Sequence, residues 1–287
     1  MVSSSRIDNP IDSSCTGSAG STHLSAQNGS FAAGQEILIH QTQGVGAGQY
    51  ERNVITAYSV GTITLRTALA HTYTTGAQAL VLRQYTNVTV GGGVTWTAKA
   101  WNGSTGGILA FLASGTVSNS GTISANGRGY RGGQAIGDVG DPLGYQGEGT
   151  TGPGSRSYSA NGTGGGGGDN KPGMASKPGG GGGGHATSGT KGTDNVQGQP
   201  GVGGAGGGTA GSADLSNMVF GGGGGSGGDS TNGLGAGAGG GIVFITAVSI
   251  ANNGLISAVG SDGEPAGGSI GGAGGGAGGS ILLVAQA

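Results

Sequence analysis

The sequence predicts an all-β protein with essentially no α-helix: a β-sandwich or barrel, then repeated β-strands interleaved with a bundle of polyglycine II helices. Three observations lead to this class. Glycine makes up 76 of the 287 residues, whereas ordinary proteins contain about 7%. Only 12 of these glycines lie in the first 100 residues, so 76 − 12 = 64 follow. Short apolar runs alternate at period two, and none repeats at the helical period of 3.6.

The low charge of the chain limits its partners. Charged residues are 8% of the sequence and the net charge is −2, so there is no electrostatic basis for binding nucleic acid or an anionic membrane. No run of about 20 apolar residues is present, which argues against membrane insertion. We therefore expect no nucleic-acid partner and no membrane insertion.

Residues 1–23 are polar and lack periodicity, so they are predicted to form an extended arm. The arm is either a loose terminus or a strand that adds to the open sheet edge of a neighbouring subunit. In the second case Ile7, Ile11 and Cys15 are the candidate subunit-contact residues. Cys15 is the single cysteine, so no disulfide forms within the chain. It is expected to be a free thiol, with pairing between chains as the alternative.

Residues 24–100 are predicted to form the β-sandwich or barrel domain. Short β-branched and apolar runs lie at regular spacing, separated by turn residues, which is typical of a small antiparallel sandwich or barrel. The predicted strands cover 35–40, 53–58, 62–66 and 79–85.

Residues 101–287 are predicted to contain strand repeats, the polyglycine bundle and loops. Val117–Gly127 matches Ile250–Gly260 at a constant offset of 133 residues, and Ile108–Ala113 matches Ile242–Ala247 just upstream. Ile281–Ala285 resembles the opening of a third copy, and Val88–Ala98 is a weaker relative. Repeated units usually stack to bury what one unit alone cannot bury.

Runs of glycine separate these copies and recur in lengths of about five to nine residues. Ordered glycine loses much backbone entropy, so packed runs require compensating backbone hydrogen bonds. A threefold extended helix points its N–H and C=O groups outward, and bare glycine faces allow such helices to bond to one another. In the last run, Gly272, Gly275 and Gly278 fall on one face, as expected for a central helix. The runs are Gly164–Gly168, Gly179–Gly184, Gly203–Gly208, Gly221–Gly225, Gly235–Gly241 and Gly271–Gly279.

The segments between glycine runs are predicted to be loops at the ends of the bundle. They hold most of the aromatic and charged residues of this half. From them we take four candidate receptor-contact residues: Tyr145, Tyr158, His185 and Phe220.

The glycine runs and interleaved loops from Gly129 to Gly279 resemble the adhesins at the tips of phage long tail fibres, in which polyglycine II helices hold receptor-binding loops. The segments Gly29–Gly44, Gly61–Leu82 and Gly121–Gly127 resemble uncharacterised Gly-rich surface proteins of environmental bacteria. These resemblances imply an extracellular, cell-surface or virion-surface structural protein and supply no catalytic residues. Gly-rich antifreeze proteins share the bundle but lack a β-domain of this size.

No pattern in the sequence predicts catalysis, a cofactor or a metal site. The four histidines are too far apart for a metal pair, and one cysteine cannot form a thiolate site. Gly201–Gly206 fits a dinucleotide-binding spacing, but no βαβ unit surrounds it. Asp138 with Asp141, and Asp262 with Glu264, lack the ligand number of a calcium loop. Trp96 and Trp101 are predicted to pack in the core, with stacking on a sugar as the alternative.

The sequence therefore favours a non-enzymatic, self-assembling filament subunit, that is, a homopolymer or homo-oligomer. The alternative is a phage or cell-surface adhesin that binds a host receptor or glycan. A Gly-rich ice-binding protein is the third possibility.

Overall fold

The computed structural model describes residues 2–27, 30–135, 143–169, 177–194, 201–228, 234–267 and 271–286. Fifteen strands and no α-helix occur in these ranges, which confirms the all-β prediction. The strands form a closed barrel and two parallel sheets. The glycine runs pack beside them.

Six antiparallel strands close the barrel in the order β2-β3-β6-β5-β4-β7. Apolar side chains that alternate along each strand fill its interior, including Leu24, Ile37, Ile39, Ile55 and Ile63, all fully buried. The barrel therefore begins at residue 12 rather than 24. Its strands are β2 (Asp12–Gly17), β3 (His23–Ala26), β4 (Glu36–Gln41), β5 (Tyr50–Ser59), β6 (Thr62–Leu65) and β7 (Tyr73–Val81).

The arm predicted over residues 1–23 is instead part of this fold. β1 (Arg6–Asp8) pairs in parallel with β10 (Thr95–Ala98), and β2 pairs with β3 and β7. Cys15 is buried in the barrel core as a free thiol, and burial raises its pKa. Ile11 packs against the same core, while Ile7 is 59% exposed. Serine and threonine hide the two-residue alternation of β2 from a hydrophobicity pattern, because buried Ser13 reads as a polar residue.

The repeats stack side by side as two parallel sheets, ordered β1-β10-β12-β14 and β15-β13-β11-β8, with β9 also paired to β11. Ile108 lies opposite Ile242, and Thr122 lies opposite Leu255, so the structural register is that of the sequence repeat. The strands are β8 (Arg83–Tyr85), β9 (Val88–Val90), β11 (Ile108–Asn119), β12 (Thr122–Ser124), β13 (Ile242–Asn252), β14 (Leu255–Ser257) and β15 (Ser280–Ala285).

Aromatic and β-branched side chains fill the space between the two parallel sheets. Trp96 stacks on Phe111 with ring centroids 4.8 Å apart, and Val117, Ile123 and Val243 are fully buried around them. Trp96 and Trp101 are both buried, which confirms the core role predicted for them.

The glycine runs hydrogen-bond to one another at intervals of three residues, as predicted for threefold helices. Gly274 and Ala277 donate to Gly225 and Gly222 of one neighbour. Ala273, Gly276 and Gly279 donate to a second neighbour, at Glu264, Ser261 and Ala258. Two faces of the run therefore meet different chain segments, while the third face is exposed at Gly275 and Gly278.

The central helix of the bundle is 221–228, not the last glycine run. Every residue of 221–228 is buried, whereas 271–279 is partly exposed. Its N–H groups donate in turn to 234–241, 179–184 and 144–149, and its carbonyls accept from 271–277 and 163–168, among others. Bare backbone permits this packing: a Cβ on Gly225 would lie 1.8 Å from Gly166 O.

Candidate functional site

Loops from the barrel and the bundle meet at one end of the bundle and form what we call the loop face: residues 44–48, 149–152, 161–162, 185–188 and 208–217. Backbone hydrogen bonds hold these loops together. Gly44 N donates to Thr150 O at 2.8 Å, and Ala210 N donates to His185 O at 2.9 Å. The loop face is therefore built from several chain segments that backbone hydrogen bonds join.

Two adjoining clefts open on the loop face and share Ala210 in their walls. The first has a volume of about 440 Å³ and is lined by Gly44, Val45, Ala47, Thr150, Thr151 and Ala210. The second has a volume of about 360 Å³ and is lined by His185, Ala186, Thr209, Ala210, Gly211, Ser212, Ala213, Asn217 and Ser280. None of these lining residues is Asp, Glu, Lys or Arg, so the clefts combine neutral polar groups with small apolar ones.

His185 lies in the wall of the second cleft. Its Nε2 is 3.3 Å from Val219 O and 3.2 Å from Ser280 Oγ. A carbonyl oxygen only accepts, so Nε2 carries the hydrogen and Nδ1 is left as an acceptor. Burial lowers the pKa of His185, so the ring is neutral near pH 7.

Ser280 is not arranged as a nucleophile, although it lies beside a histidine. Its Oγ donates to Val219 O at 2.9 Å, so its proton is directed at a backbone carbonyl. A general base would have to accept that proton, and Nε2 of His185 is itself a donor here. The pair tethers β15 to the segment that precedes the central glycine helix.

The four predicted receptor-contact residues do not come together. His185 lies on the loop face, and Tyr158 is 49% exposed. The ring of Tyr145 is covered by the guanidinium of Arg156, whose Cζ is 4.7 Å from the ring centroid.

Phe220 is fully buried and has no access to a receptor. Its ring contacts those of His40, Trp101 and Tyr130 at centroid distances of 6.0, 5.7 and 5.3 Å. The sequence places it beside a glycine run, which is typical of a loop. Phe220 is buried because the barrel, the parallel sheets and the glycine bundle all meet at its ring.

A smaller groove of about 160 Å³ lies beside Tyr145 and is lined partly by Arg131 and Glu148. Glu148 is 3% exposed, and both of its carboxylate oxygens accept hydrogen bonds. It accepts from Arg131 N and Nε at 3.0 Å each and from Gln43 Nε2 at 2.9 Å. The hydrogen bond to Glu148 raises the pKa of Arg131. This carboxylate joins the barrel to the bundle and is not free for acid–base chemistry.

A buried polar network, which sequence patterns did not indicate, also joins these two parts. His40 is completely buried, with Nδ1 2.9 Å from Thr42 Oγ1 and Nε2 2.7 Å from Met218 O. Gln78 Nε2 donates to Thr42 Oγ1 at 2.9 Å. Burial lowers the pKa of His40 to about 4, so the imidazole is neutral.

Within the described ranges no group of three or more His, Cys, Asp or Glu side chains could hold a metal ion. Asp138 and Asp141 lie outside those ranges. Glu264 Oε2 accepts from Gly235 N at 3.0 Å. Among the same residues, no helix has the length and hydropathy to span a membrane.

The loop-face residues other than His185 were missed at the sequence level. Val45 is 86% exposed in the glycine turn 44–48. An apolar residue between turn glycines is the one local sequence feature that could have indicated a contact surface here. Thr209, Ser212 and Asn217 belong to a loop of small polar residues. No sequence pattern distinguishes a binding loop of this kind from a loop that only connects two elements.

Comparisons with known proteins show a likeness to a solved structure but no matching family. No family model matches this chain, and no curated protein matches it. Among solved structures, the chain is similar to the tailspike protein gp49 from Pseudomonas phage LKA1, with a TM-score of 0.25 and 16% sequence identity. The match covers 41% of this chain and 22% of that one, so this chain spans about a fifth of the tailspike's length.

Proposed function

We propose that this protein is a surface adhesin, on a virion or a cell, that binds a neutral carbohydrate at the loop face. One observation carries the proposal: two adjoining clefts combine uncharged hydrogen-bonding groups with small apolar residues. Sugars present hydroxyls beside patches of C–H, and a few placed polar groups on an apolar floor match that chemistry. The role requires neither catalysis nor a cofactor.

The arrangement of the loops supports a binding role. Binding loops are commonly positioned by a rigid scaffold. Here the loops connect barrel strands or glycine runs, and backbone hydrogen bonds join them to one another. His185 contributes Nδ1 as an acceptor, while Thr209, Ser212 and Asn217 bring hydroxyl and amide groups. Val45 and Ala47 offer the apolar contact.

Filling the clefts tests the proposal. Ala210→Trp places a large ring in the wall that both clefts share, and Val45→Arg adds a bulky charge at an exposed position. The control is Val60→Arg, at a fully exposed site in the barrel. The probe is an array of purified bacterial surface polysaccharides, read with fluorescently labelled protein.

We expect the wild type and Val60→Arg to bind the same polysaccharides. The two cleft variants should bind about tenfold or more weakly, as substitutions in a central contact do. Equal binding by all four proteins would place the contact elsewhere. Binding to a proteinaceous receptor, with no polysaccharide retained, would contradict the carbohydrate assignment.

The self-assembling filament that the sequence favours is a second proposal. It requires contacts between copies of the chain. Its readout differs from that of an adhesin: negative-stain electron microscopy of the purified protein would show filaments of uniform width.

A further inference from the structure

A hydroxyl, an imidazole and a carboxamide meet in the buried polar network between the barrel and the bundle. They belong to Thr42, His40 and Gln78, which are 1%, 0% and 1% exposed. His40 and Gln78 lie opposite each other on the paired strands β4 and β7, and Thr42 directly follows the end of β4. The three groups are therefore held together by the barrel and shielded from water.

The hydrogen bonds of His40 determine which of its nitrogens can take a proton. Nε2 is 2.7 Å from Met218 O, and because a carbonyl oxygen only accepts, Nε2 carries the hydrogen. Nδ1 is then the acceptor, and Thr42 Oγ1 donates to it at 2.9 Å. The ring is also stacked on Phe220, with centroids 6.0 Å apart. A hydroxyl paired in this way with a neutral imidazole is the arrangement that activates an oxygen nucleophile.

Both ends of the Gln78 amide are held by one glycine. Oε1 accepts from Gly106 N at 2.9 Å, and Nε2 donates to Gly106 O at 3.0 Å, so the orientation of the amide is fixed. A backbone N–H directed at a carbonyl oxygen stabilises the negative charge that develops there during attack. Gly106 has a φ of +100°, and a Cβ on it would lie 2.3 Å from Ala100 O, so only glycine fits here.

The electrophilic carbon of this amide is close to the hydroxyl. Gln78 Nε2 donates to Thr42 Oγ1 at 2.9 Å. Cδ is one C–N bond of about 1.33 Å from Nε2, so it lies within about 4.2 Å of Oγ1. The hydroxyl oxygen has to shift from the nitrogen to the carbon, a movement of about one bond length.

We infer that Thr42 and Gln78 become joined by an ester bond, which the folded chain forms by itself with His40 as the base. Oγ1 adds to Cδ while its proton passes to Nδ1 of His40, and the charge on Oε1 is stabilised by Gly106 N. The bond between Cδ and Nε2 then breaks, the proton passes from Nδ1 to Nε2, and ammonia leaves. One C–O bond forms and one C–N bond breaks. Nothing is oxidised or reduced, so no co-reactant is needed.

Burial favours this transfer over hydrolysis. Water at the same carbon would convert Gln78 to glutamate, and an enclosed site excludes it. The reaction occurs once in each chain, so a slow rate is sufficient. The ester links β4 to β7 at the junction with the bundle. A covalent link between distant positions restricts the unfolded chain, as a disulfide does, and so stabilises the fold.

Mass spectrometry of the full chain tests the ester. The variants are Thr42→Val, which removes the hydroxyl, and His40→Gln, which removes the base. The matched control is Thr246→Val, at a threonine in β13 that is 8% exposed and lies outside the network. Trypsin places Thr42 in the peptide 7–52 and Gln78 in the peptide 67–83. Circular dichroism shows which proteins are folded.

The wild type and Thr246→Val should each weigh one ammonia less than their sequence, and digestion should yield the peptides 7–52 and 67–83 as one linked species. Thr42→Val should show the full mass and two separate peptides. His40→Gln should form the link about a hundredfold or more slowly, as expected for the loss of a general base. Mild alkali should separate the linked peptides, since it cleaves esters and leaves amides intact.

The wild-type measurement stands by itself if a variant fails to fold. Folded wild-type protein that keeps its full mass and separate peptides after prolonged incubation overturns the inference. An ammonia lost within a single peptide, as an Asn-Gly pair can lose it, also overturns it. So does a link that resists alkali or persists in Thr42→Val. Linkage at the wild-type rate in His40→Gln would contradict the role of His40.

Discussion

The side-chain amides of Asn119 and Asn252 hydrogen-bond to each other, with 2.7 Å between Nδ2 of the first and Oδ1 of the second. The two residues are 133 positions apart, which is the offset of the sequence repeat. Asn119 also donates to Leu255 O at 3.2 Å and accepts from Gly121 N at 3.2 Å. This one side chain therefore ties together both strands of the next repeat.

Replacing Asn119 by alanine should lower the free energy of unfolding by about 1–3 kcal/mol, because buried backbone groups lose their partners. Asn252→Ala, at an exposed position, should cost less than about 1 kcal/mol. Urea denaturation followed by circular dichroism gives both values. Equal losses of stability in the two variants would show that the buried side chain of Asn119 is no more important than the exposed one of Asn252.

Adding a methyl group to the central glycine helix should be far more damaging than adding one at the bundle surface. A Cβ at Gly225 would lie 1.8 Å from Gly166 O, whereas the nearest atom to a Cβ at Gly275 is 3.7 Å away. We expect Gly225→Ala to cost more than about 3 kcal/mol, since backbone must move apart. Gly275→Ala should change stability by less than about 1 kcal/mol. Thermal unfolding of the two variants decides the point.

Acid should destabilise the protein through His40. Its pKa is about 4 in the fold because of burial and about 6.5 in the unfolded chain. The unfolded state thus binds a proton that the folded state does not, and stability falls as the pH drops from about 6.5 to about 4. The difference amounts to about 3 kcal/mol.

The variant His40→Gln should show a flatter dependence of unfolding free energy on pH over this range, measured by urea titrations at half-unit intervals. His185, whose pKa is also lowered by burial, remains in both proteins and cancels in the comparison. Parallel curves for the two proteins would refute the assignment to His40.

Two ion pairs should differ in their contribution to stability. Glu148 is 3% exposed. Its loss leaves Arg131 N without its acceptor and removes one of the two hydrogen bonds that Gln43 Nε2 donates, the other being to Gly149 O. Glu148→Ala should lower the free energy of unfolding by about 1–3 kcal/mol. The loss is limited because the side chain of Arg131 is 51% exposed and can be hydrated by water instead. Arg52→Ala breaks the more exposed pair with Glu36 and should cost less than about 1 kcal/mol. Denaturant midpoints compare the two.

Much of the fold could be predicted from the sequence because its signals are local. The match of Ile108–Ala113 to Ile242–Ala247 has an offset of 134, and that of Val117–Gly127 has 133. The strands show this same change as a register shift between Ala113 and Thr116. The threefold spacing of bonds between glycine runs likewise followed from backbone geometry alone.

The rest depended on long-range packing. β2 could not be recognised because its inward side chains include Ser13, and only barrel closure buries them. The sequence predicts a loop position for Phe220 because a glycine run, 221–225, follows it directly. Of the candidate site, His185 lies where a loop residue was expected, but the clefts around it arise from segments far apart in the chain.

The central glycine helix also has a thermodynamic consequence. Its eight buried residues remove peptide groups from water and almost no hydrocarbon. Exposure of apolar surface raises the heat capacity of unfolding, while exposure of polar surface lowers it. The heat-capacity increment should therefore fall below the usual value of about 12–15 cal/mol/K per residue. The stability of the bundle would then change little with temperature and would persist in the cold, where hydrophobic cores weaken.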